Sequence, residues 1–378
     1  MSPLRIAFIG GGINSAIGRV HAISSQMDGK FKLVGGVFSR NKDSQLATEK
    51  AFGLTDPVRF TDIYRLLDQP ELYDVIALLT PTPAHYDTLK ELIHRKIPVI
   101  CEKALVSSKT QSDEISELIK LNPIKNAVTF NYTGYPMIRL MQYLVKNGII
   151  GNITNIRIEM PQDGFIKLNK KTNLPNSPQN WRRVDGEIPT VLLDLAVHCL
   201  HLSSFITGLE PVNVFSRFKH HSKTENVIDD VETLMEYPEG VLGAFWFTKS
   251  ALGKQNGLKI EIYGLDGSLC WRHEEPNSLI KIDKFGETEI CRFGQGLPIV
   301  DENRYARFKA GHPAGFIEAF ANFYWDAHEY LSTDVDNDVI GSYSPSFKTA
   351  GVGFDVLEAM VNSNKNGSWE KVNYYHER

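Results

Sequence analysis

The chain has 378 residues, 42% of them apolar and 23% charged, with a formal net charge of −4. That length exceeds one ordinary core and predicts two domains, the composition is globular, and the charge gives no electrostatic footprint for nucleic acid. The four cysteines (Cys101, Cys199, Cys270 and Cys291) are widely spaced without a CxxC pair. This argues against a disulfide framework or zinc ribbon and for a reducing, cytoplasmic setting. No apolar run nears the ~20 residues that span a bilayer, and the start, MSPLRIAFIGG, is expected to carry no signal peptide.

In chain order, strands are predicted at 4–9, 31–38, 74–79 and 98–101, with helices near 42–52, 84–95 and 109–121. This alternation predicts right-handed βαβ units and a parallel sheet, with a ligand crevice at the carboxyl ends of the strands. From about Asn131 the pattern changes. NITNIRIEM, PVNVFSRF, DVETLMEY, VLGAFWF, GLKIEIYG and SLIKID read as strands without a helix between each pair. They predict one large, mainly antiparallel sheet, with helices at 137–146, 192–206, 314–331 and 348–363. The class is α/β followed by α+β. The domains are set at 1–130 and 131–378, and packing of the last helix on the first domain is left open.

The first strand runs into FIGGGINSAIGRVH, residues 8–21. Gly10 and Gly12 fit the first two positions of G-x-G-x-x-G, one for the tight turn and one for close backbone approach to a pyrophosphate. The third position is Ser15, and GRVH reads as a helix start displaced to Gly18. An enlarged phosphate loop follows, with Ile13, Asn14 and Ser15 near the cofactor and helix N–H groups facing the anion. A ligand-free glycine turn is the alternative, and the βαβ context favours the cofactor. After the second strand, Ser39 and Arg40 stand where an acidic residue would hold the ribose of NAD. An arginine there neutralises a 2′-phosphate and favours NADP, with NAD still compatible.

TPTPAH offers Thr80, Pro81 and His85 to a ribose or nicotinamide; a merely stiff connection explains it equally well. CEKAL places Glu102 and Lys103 at a strand end, both as cofactor-binding candidates, where lysine in the crevice, tied to Glu102 or to substrate, can hold an alkoxide or donate a proton, although Glu-Lys is also a common surface pair. LLDLAVHCLH sets Asp194 and His198 at i,i+4 on one helical face, with His201 on the next turn, amid apolar neighbours. A buried unpaired aspartate is costly, so a cleft or a partner must explain it. His198 reads as the general acid/base for a substrate hydroxyl, with Asp194 orienting it or binding hydroxyls. The alternatives are satisfied structural histidines, or a metal on Asp194, His198 and His201, which lacks a further ligand cluster.

Taken in this order, with NYTGYPMIR, PQNWRR and GSWEKV along nearly the whole chain, these motifs resemble the Gfo/Idh/MocA oxidoreductase family. The resemblance implies an N-terminal Rossmann domain and a C-terminal domain whose open sheet forms a homodimer or homotetramer interface. It implies hydride transfer between nicotinamide C4 and a carbon of a sugar or polyol. Lys103 matches the family's catalytic lysine, and Asp194 and His198 match its Asp-x-x-x-His pair. Asn131, Tyr132 and Tyr135 fall where the family turns toward the nicotinamide. Trp181 and Arg182 have the chemistry to stack on a sugar and bind its polar groups. Arg307, Lys309 and His312 would add an anionic-group site if these bases converge. Four features depart from the family: the longer phosphate loop, Ala104 in place of proline, DGEIPT before the Asp/His helix, and His201 in place of aspartate. The expected function is an NADP- or NAD-dependent oxidoreductase of sugar or polyol CH–OH groups, with no metal, nucleic-acid or membrane partner. Two alternatives are a non-catalytic dinucleotide sensor and a sugar–sugar oxidoreductase that retains its cofactor.

Overall fold

The computed structural model describes residues 2–54, 58–59, 62–175, 178–222, 226–333 and 341–375. The chain opens with β1 (Leu4–Gly10), α1 (Gly18–Ser24), β2 (Phe31–Val37), α2 (Lys42–Ala51), β3 (Val58–Arg59), α3 (Ile63–Leu67) and β4 (Val75–Leu79). It continues through α4 (His85–His94), β5 (Val99–Cys101), α5 (Lys109–Leu121) and β6 (Asn126–Val128). These six strands form one parallel sheet in the order β3-β2-β1-β4-β5-β6. The runs LRIAFI and VIALL are apolar throughout because parallel strands are covered on both faces, and Ile6, Phe8, Val75 and Ala77 are fully buried. The order reverses between β1 and β4, so the carboxyl ends of these strands define a dinucleotide crevice.

Next come α6 (Pro136–Lys146), β7 (Ile153–Pro161), α7 (Val197–Thr207), β8 (Asn213–Lys219), β9 (Asp230–Glu236), β10 (Leu242–Thr248), β11 (Lys259–Gly264), β12 (Gly267–Arg272), β13 (Ser278–Asp283) and β14 (Thr288–Arg292). The chain closes with α8 (Phe316–Ser332), α9 (Phe347–Asn366) and β15 (Glu370–Lys371). The second sheet has nine strands, β14-β13-β12-β11-β7-β10-β9-β8-β15, antiparallel everywhere except the β7–β10 pair. Its strands alternate: Val231 and Met235 of β9 are fully buried, whereas Leu234 between them is 49% exposed.

The chain divides into two compact units, but not by a single cut. The first holds Met1–Val106, Thr110–Gly134 and Phe316–Gly351; the second holds Ser107–Lys109, Tyr135–Gly315 and Val352–Arg378. The helix that returns to the first unit is α8, whose Phe323, Tyr324 and Ala327 join Phe8, Phe31 and Leu33 in its core. Each such buried side chain contributes about 1.5–3 kcal/mol. The approach is close: a Cβ on Gly134 would lie 2.0 Å from the Ala319 carbonyl oxygen, and Asn322 Nδ2 donates to the Gly134 carbonyl at 2.7 Å. Among the described residues, no helix is long and apolar enough to cross a membrane.

Candidate active site

The turn after β1 is built from glycines that exclude side chains. A Cβ would stand 2.7 Å from Thr80 N at Gly10 (φ +83°), 2.9 Å from Phe38 O at Gly12, and 1.9 Å from Gly11 O at Gly18. The third glycine of the motif is therefore Gly18, five residues beyond the nucleotide-loop residue Ile13, and α1 starts there. Ser15 has a different task. Its Oγ accepts from the N–H groups of Ile17 and Gly18, each at 3.3 Å. This corrects the expectation that all the first N–H groups of the helix face an anion, because two of them are capped from within. Thr48 Oγ1 accepts from Ile13 N at 3.0 Å and pins the loop to α2. The N–H groups of Gly12, Asn14 and Ala16 have no protein acceptor among the described residues.

Beyond β2, Gln45 Oε1 accepts from Phe38 N and Ser39 N at 2.8 and 3.1 Å, and Asn41 caps α2 through Ser44 N at 2.9 Å. Arg40 projects from this rigid corner, exposed and without a hydrogen-bond or ion-pair partner among the described residues.

His85 is fully buried, and its ring sits behind two crevice loops. Nε2 meets the Thr80 carbonyl at 2.7 Å, and Nδ1 lies 3.0 and 3.2 Å from the carbonyls of Ala104 and Leu105. Burial lowers its pKa against the opposing pull of those carbonyls, which favours the neutral ring. A neutral ring has one N–H, so it donates either to Thr80 or to the Ala104 and Leu105 carbonyls while packing between the loop after β4 and the loop after β5. On those loops, Pro81 is exposed, Lys103 is half-buried, and the Lys103–Ala104 peptide is cis. Glu102 pairs with His21 at 3.0 Å. Thr80 Oγ1 and, after β6, Asn131 Nδ2 are buried with no protein partner among the described residues. Buried polar atoms of this kind cost free energy until water or a ligand meets them.

In the second unit, Asp194 does not lie on a plain α-helix. Leu192–Ala196 forms a π-helical turn that runs into α7; such turns recur at functional sites. Asp194 is buried but paired. Arg182 grips it with Nη2 on Oδ1 at 3.0 Å and Nε on Oδ2 at 3.2 Å, and Lys249 Nζ bonds Oδ2. Lys249 escaped the sequence reading. Its only signal is a lysine directly after the apolar strand β10, and it is itself buried. Arg182, expected to face substrate, is engaged with Asp194 and with Gln179, and it stacks on Trp181 at 4.4 Å. Two cations on its carboxylate leave Asp194 unsuited to the metal reading, and no metal-like cluster occurs among the described residues. Asp185 holds the DGEIPT segment, accepting from Thr190 N at 2.8 Å and Ile228 N at 2.7 Å. His198 is buried, and His201 is buried with its pKa pushed down to about 3 by desolvation, so its ring is neutral.

The remaining candidates scatter. Tyr132 is buried in the first unit near Phe316, whereas Tyr135 belongs to the second and shares a 3.0 Å hydrogen bond with His273. His312 is exposed and bonds the Lys309 carbonyl of its own loop at 3.1 Å. The structure does not bring it to Asp194.

Comparison with known proteins decides the family. Residues 4–130 match the oxidoreductase family with an NAD-binding Rossmann fold, and residues 138–270 match the GFO/IDH/MocA C-terminal domain. The chain belongs to the GFO/IDH/MocA oxidoreductase family. It is 27% identical to the uncharacterized oxidoreductase YfiI of Bacillus subtilis (strain 168), over 97% of this chain and 96% of that one. It is 24% identical to levoglucosan dehydrogenase of Pseudarthrobacter phenanthrenivorans, over 98% and 99% of the two chains. The inositol dehydrogenase homolog of Azotobacter vinelandii, solved with NADH and myo-inositol, superposes with a TM-score of 0.85 at 25% identity, covering 98% of each chain.

The first unit of this GFO/IDH/MocA oxidoreductase fits a dinucleotide on its own geometry. The glycine cradle admits close backbone approach, and Thr80 and Asn131 present buried polar atoms at the ends of β4 and β6.

Two consequences of the second unit are measurable. The unfolded chain returns His201 to the ordinary value of 6.5 and so binds protons that the native state refuses. Stability from the neutral ring is present above about pH 6.5 and drains away as pH falls toward 3. Between about pH 7.5 and 5.5 the wild type should lose about 1.4 kcal/mol more in urea denaturation than His201→Leu; parallel losses would refute the burial argument. Lys249→Met should cost about 2 kcal/mol, the worth of a hydrogen bond to a charged group. Combining it with Asp194→Asn should recover part of that cost, and an additive double variant would mean the pair does not interact.

Proposed function

We propose that the protein is a pyridine-nucleotide-dependent dehydrogenase of a secondary hydroxyl on a sugar, polyol or sugar derivative. The observation that carries this reading is Asp194, held as a carboxylate between Arg182 and Lys249 on a π-turn that leads into His198. When bound, the nicotinamide supplies hydride acceptance or donation. In the oxidative direction His198 takes the hydroxyl proton on an imidazole nitrogen. Lys103, from the Glu-Lys pair after β5, stabilises the alkoxide charge as it develops. Asp194, held by Arg182 and Lys249, orients the hydroxyl. Trp181 offers a flat face to a sugar ring. The levoglucosan dehydrogenase and the homolog solved with myo-inositol support a hydroxyl-rich ring as substrate.

Arg40 supports NADP as the preferred cofactor. It is exposed at the end of β2 with no acidic residue at Ser39, where a 2′-phosphate would be read. The exposed side chains Leu234, Leu242 and Ile290 on the second sheet support an oligomer formed through it.

With a panel of inositols and anhydrosugars, Lys103→Ala and His198→Ala should each lower turnover by about 10²–10⁴-fold, with NADH binding retained. Undiminished turnover in both variants would sink the assignment. In fluorescence titrations, Arg40→Ala should weaken NADPH about tenfold more than NADH; equal losses would remove the 2′-phosphate contact.

A further inference from the structure

His21 is fully buried in α1, three residues after Gly18, and the reaction proposed above gives it no task. Its Nε2 lies 3.0 Å from Glu102 Oε1, and its Nδ1 lies 2.7 Å from the Tyr324 hydroxyl. A carboxylate only accepts, so Nε2–H donates to Glu102, while Nδ1 shares its hydrogen bond with the Tyr324 hydroxyl. The ring is boxed by aromatic edges, with Phe320 at 5.1 Å, Tyr324 at 5.8 Å and Phe8 at 6.4 Å between centroids. It cannot turn away from Glu102 without displacing them. Three segments meet here: the helix after the phosphate loop, the strand end that carries Lys103, and the returning helix α8.

Glu102 spends one oxygen on His21. The other has no protein hydrogen-bond partner among the described residues, and the side chain keeps 11% of its surface open at the end of β5. β5 lies in the β4-β5-β6 half of the sheet, across the switch point from β2. A dinucleotide that spans the switch point sets its adenosine toward the ribose-reading corner after β2 and its other nucleoside toward β4 and β5.

The geometry points to Tyr324 and His21 as positioning residues. The chain from the Tyr324 hydroxyl through His21 fixes the rotamer of the Glu102 carboxylate. Its second oxygen is thereby presented to a hydroxyl of the nicotinamide-side ribose, and the backbone leading into Lys103 is held in place. This rests on dinucleotide binding by the first unit and not on the choice of substrate.

The test is a pair of titrations, NADH by nicotinamide fluorescence and ADP by calorimetry. ADP lacks the second ribose and the nicotinamide. The proteins are the full-length wild type, Tyr324→Phe, His21→Gln, Glu102→Gln and the Tyr324→Phe/Glu102→Gln double variant. Each single variant should raise the Kd for NADH by about fivefold to tenfold, the worth of one hydrogen bond, with the Kd for ADP unchanged. The double variant should bind NADH no more weakly than Glu102→Gln alone, since the tyrosine acts only through the carboxylate. Equal losses for ADP and NADH would mean that the chain merely supports α1, and would overturn the inference. Unchanged NADH binding in Tyr324→Phe would overturn it as well, and that variant, which removes a single oxygen atom, decides the matter even if His21→Gln fails to fold. Wild-type protein that follows this pattern but oxidises no polyol would count against the substrate reading alone.

Discussion

The second unit is organised around one buried carboxylate. Removing an ion from water costs several kcal/mol, and the cost is offset only where partners are well placed. Asp194 meets that condition from two directions. Arg182 supplies a planar fork that matches both oxygens, and Lys249 adds a point charge at one of them. The three residues come from an irregular segment, a π-turn and the end of β10. A chain that pairs them has also set the PQNWRR segment, the start of α7 and the edge of the strand that precedes Lys249. The stacked Trp181 inherits its orientation from Arg182.

The first unit solves a different problem, that of loops that must be exposed yet rigid. Its crevice loops are held from behind by buried side chains. His85 spans the loops after β4 and β5, Gln45 closes the corner after β2, and Thr48 ties down the phosphate loop. On the front, glycines keep the surface free of Cβ atoms, so backbone N–H groups remain within reach of an anion. The rigid side and the permissive side are complementary: a loop of glycines with no such supports would pay too much entropy to stay in one conformation.

What was legible in the sequence follows from the range of the interactions. The parallel strands show as unbroken apolar runs, and the second sheet shows as alternation, because both patterns are local consequences of burial. Gly10 and Gly12 were legible for the same reason. Gly18 was seen as a helix start, but its packing on Gly11 depends on how the intervening residues coil, which no spacing encodes. Lys249 lies far along the chain from Asp194, and Tyr324 far from His21. Pairs of that separation leave no periodic trace. The π-turn is equally silent, since LLDLAVH has the same apolar pattern for either helical pitch. That a buried aspartate demands a cleft or a partner was legible, but not which, because the cations that meet it lie in other elements.

The number of bonds on Asp194 also limits what it can do for a substrate. A carboxylate offers about four lone-pair sites. Arg182 takes two of them and Lys249 takes one. At most one acceptor site is left beyond these cations. Under the proposed function, Asp194 is therefore suited to orienting a single hydroxyl rather than recognising several. Seven residues on, the buried His201 is neutral, its pKa pushed down by desolvation, and it adds no charge to compensate the two cations. Under the proposed function, proton transfer is left to the buried His198.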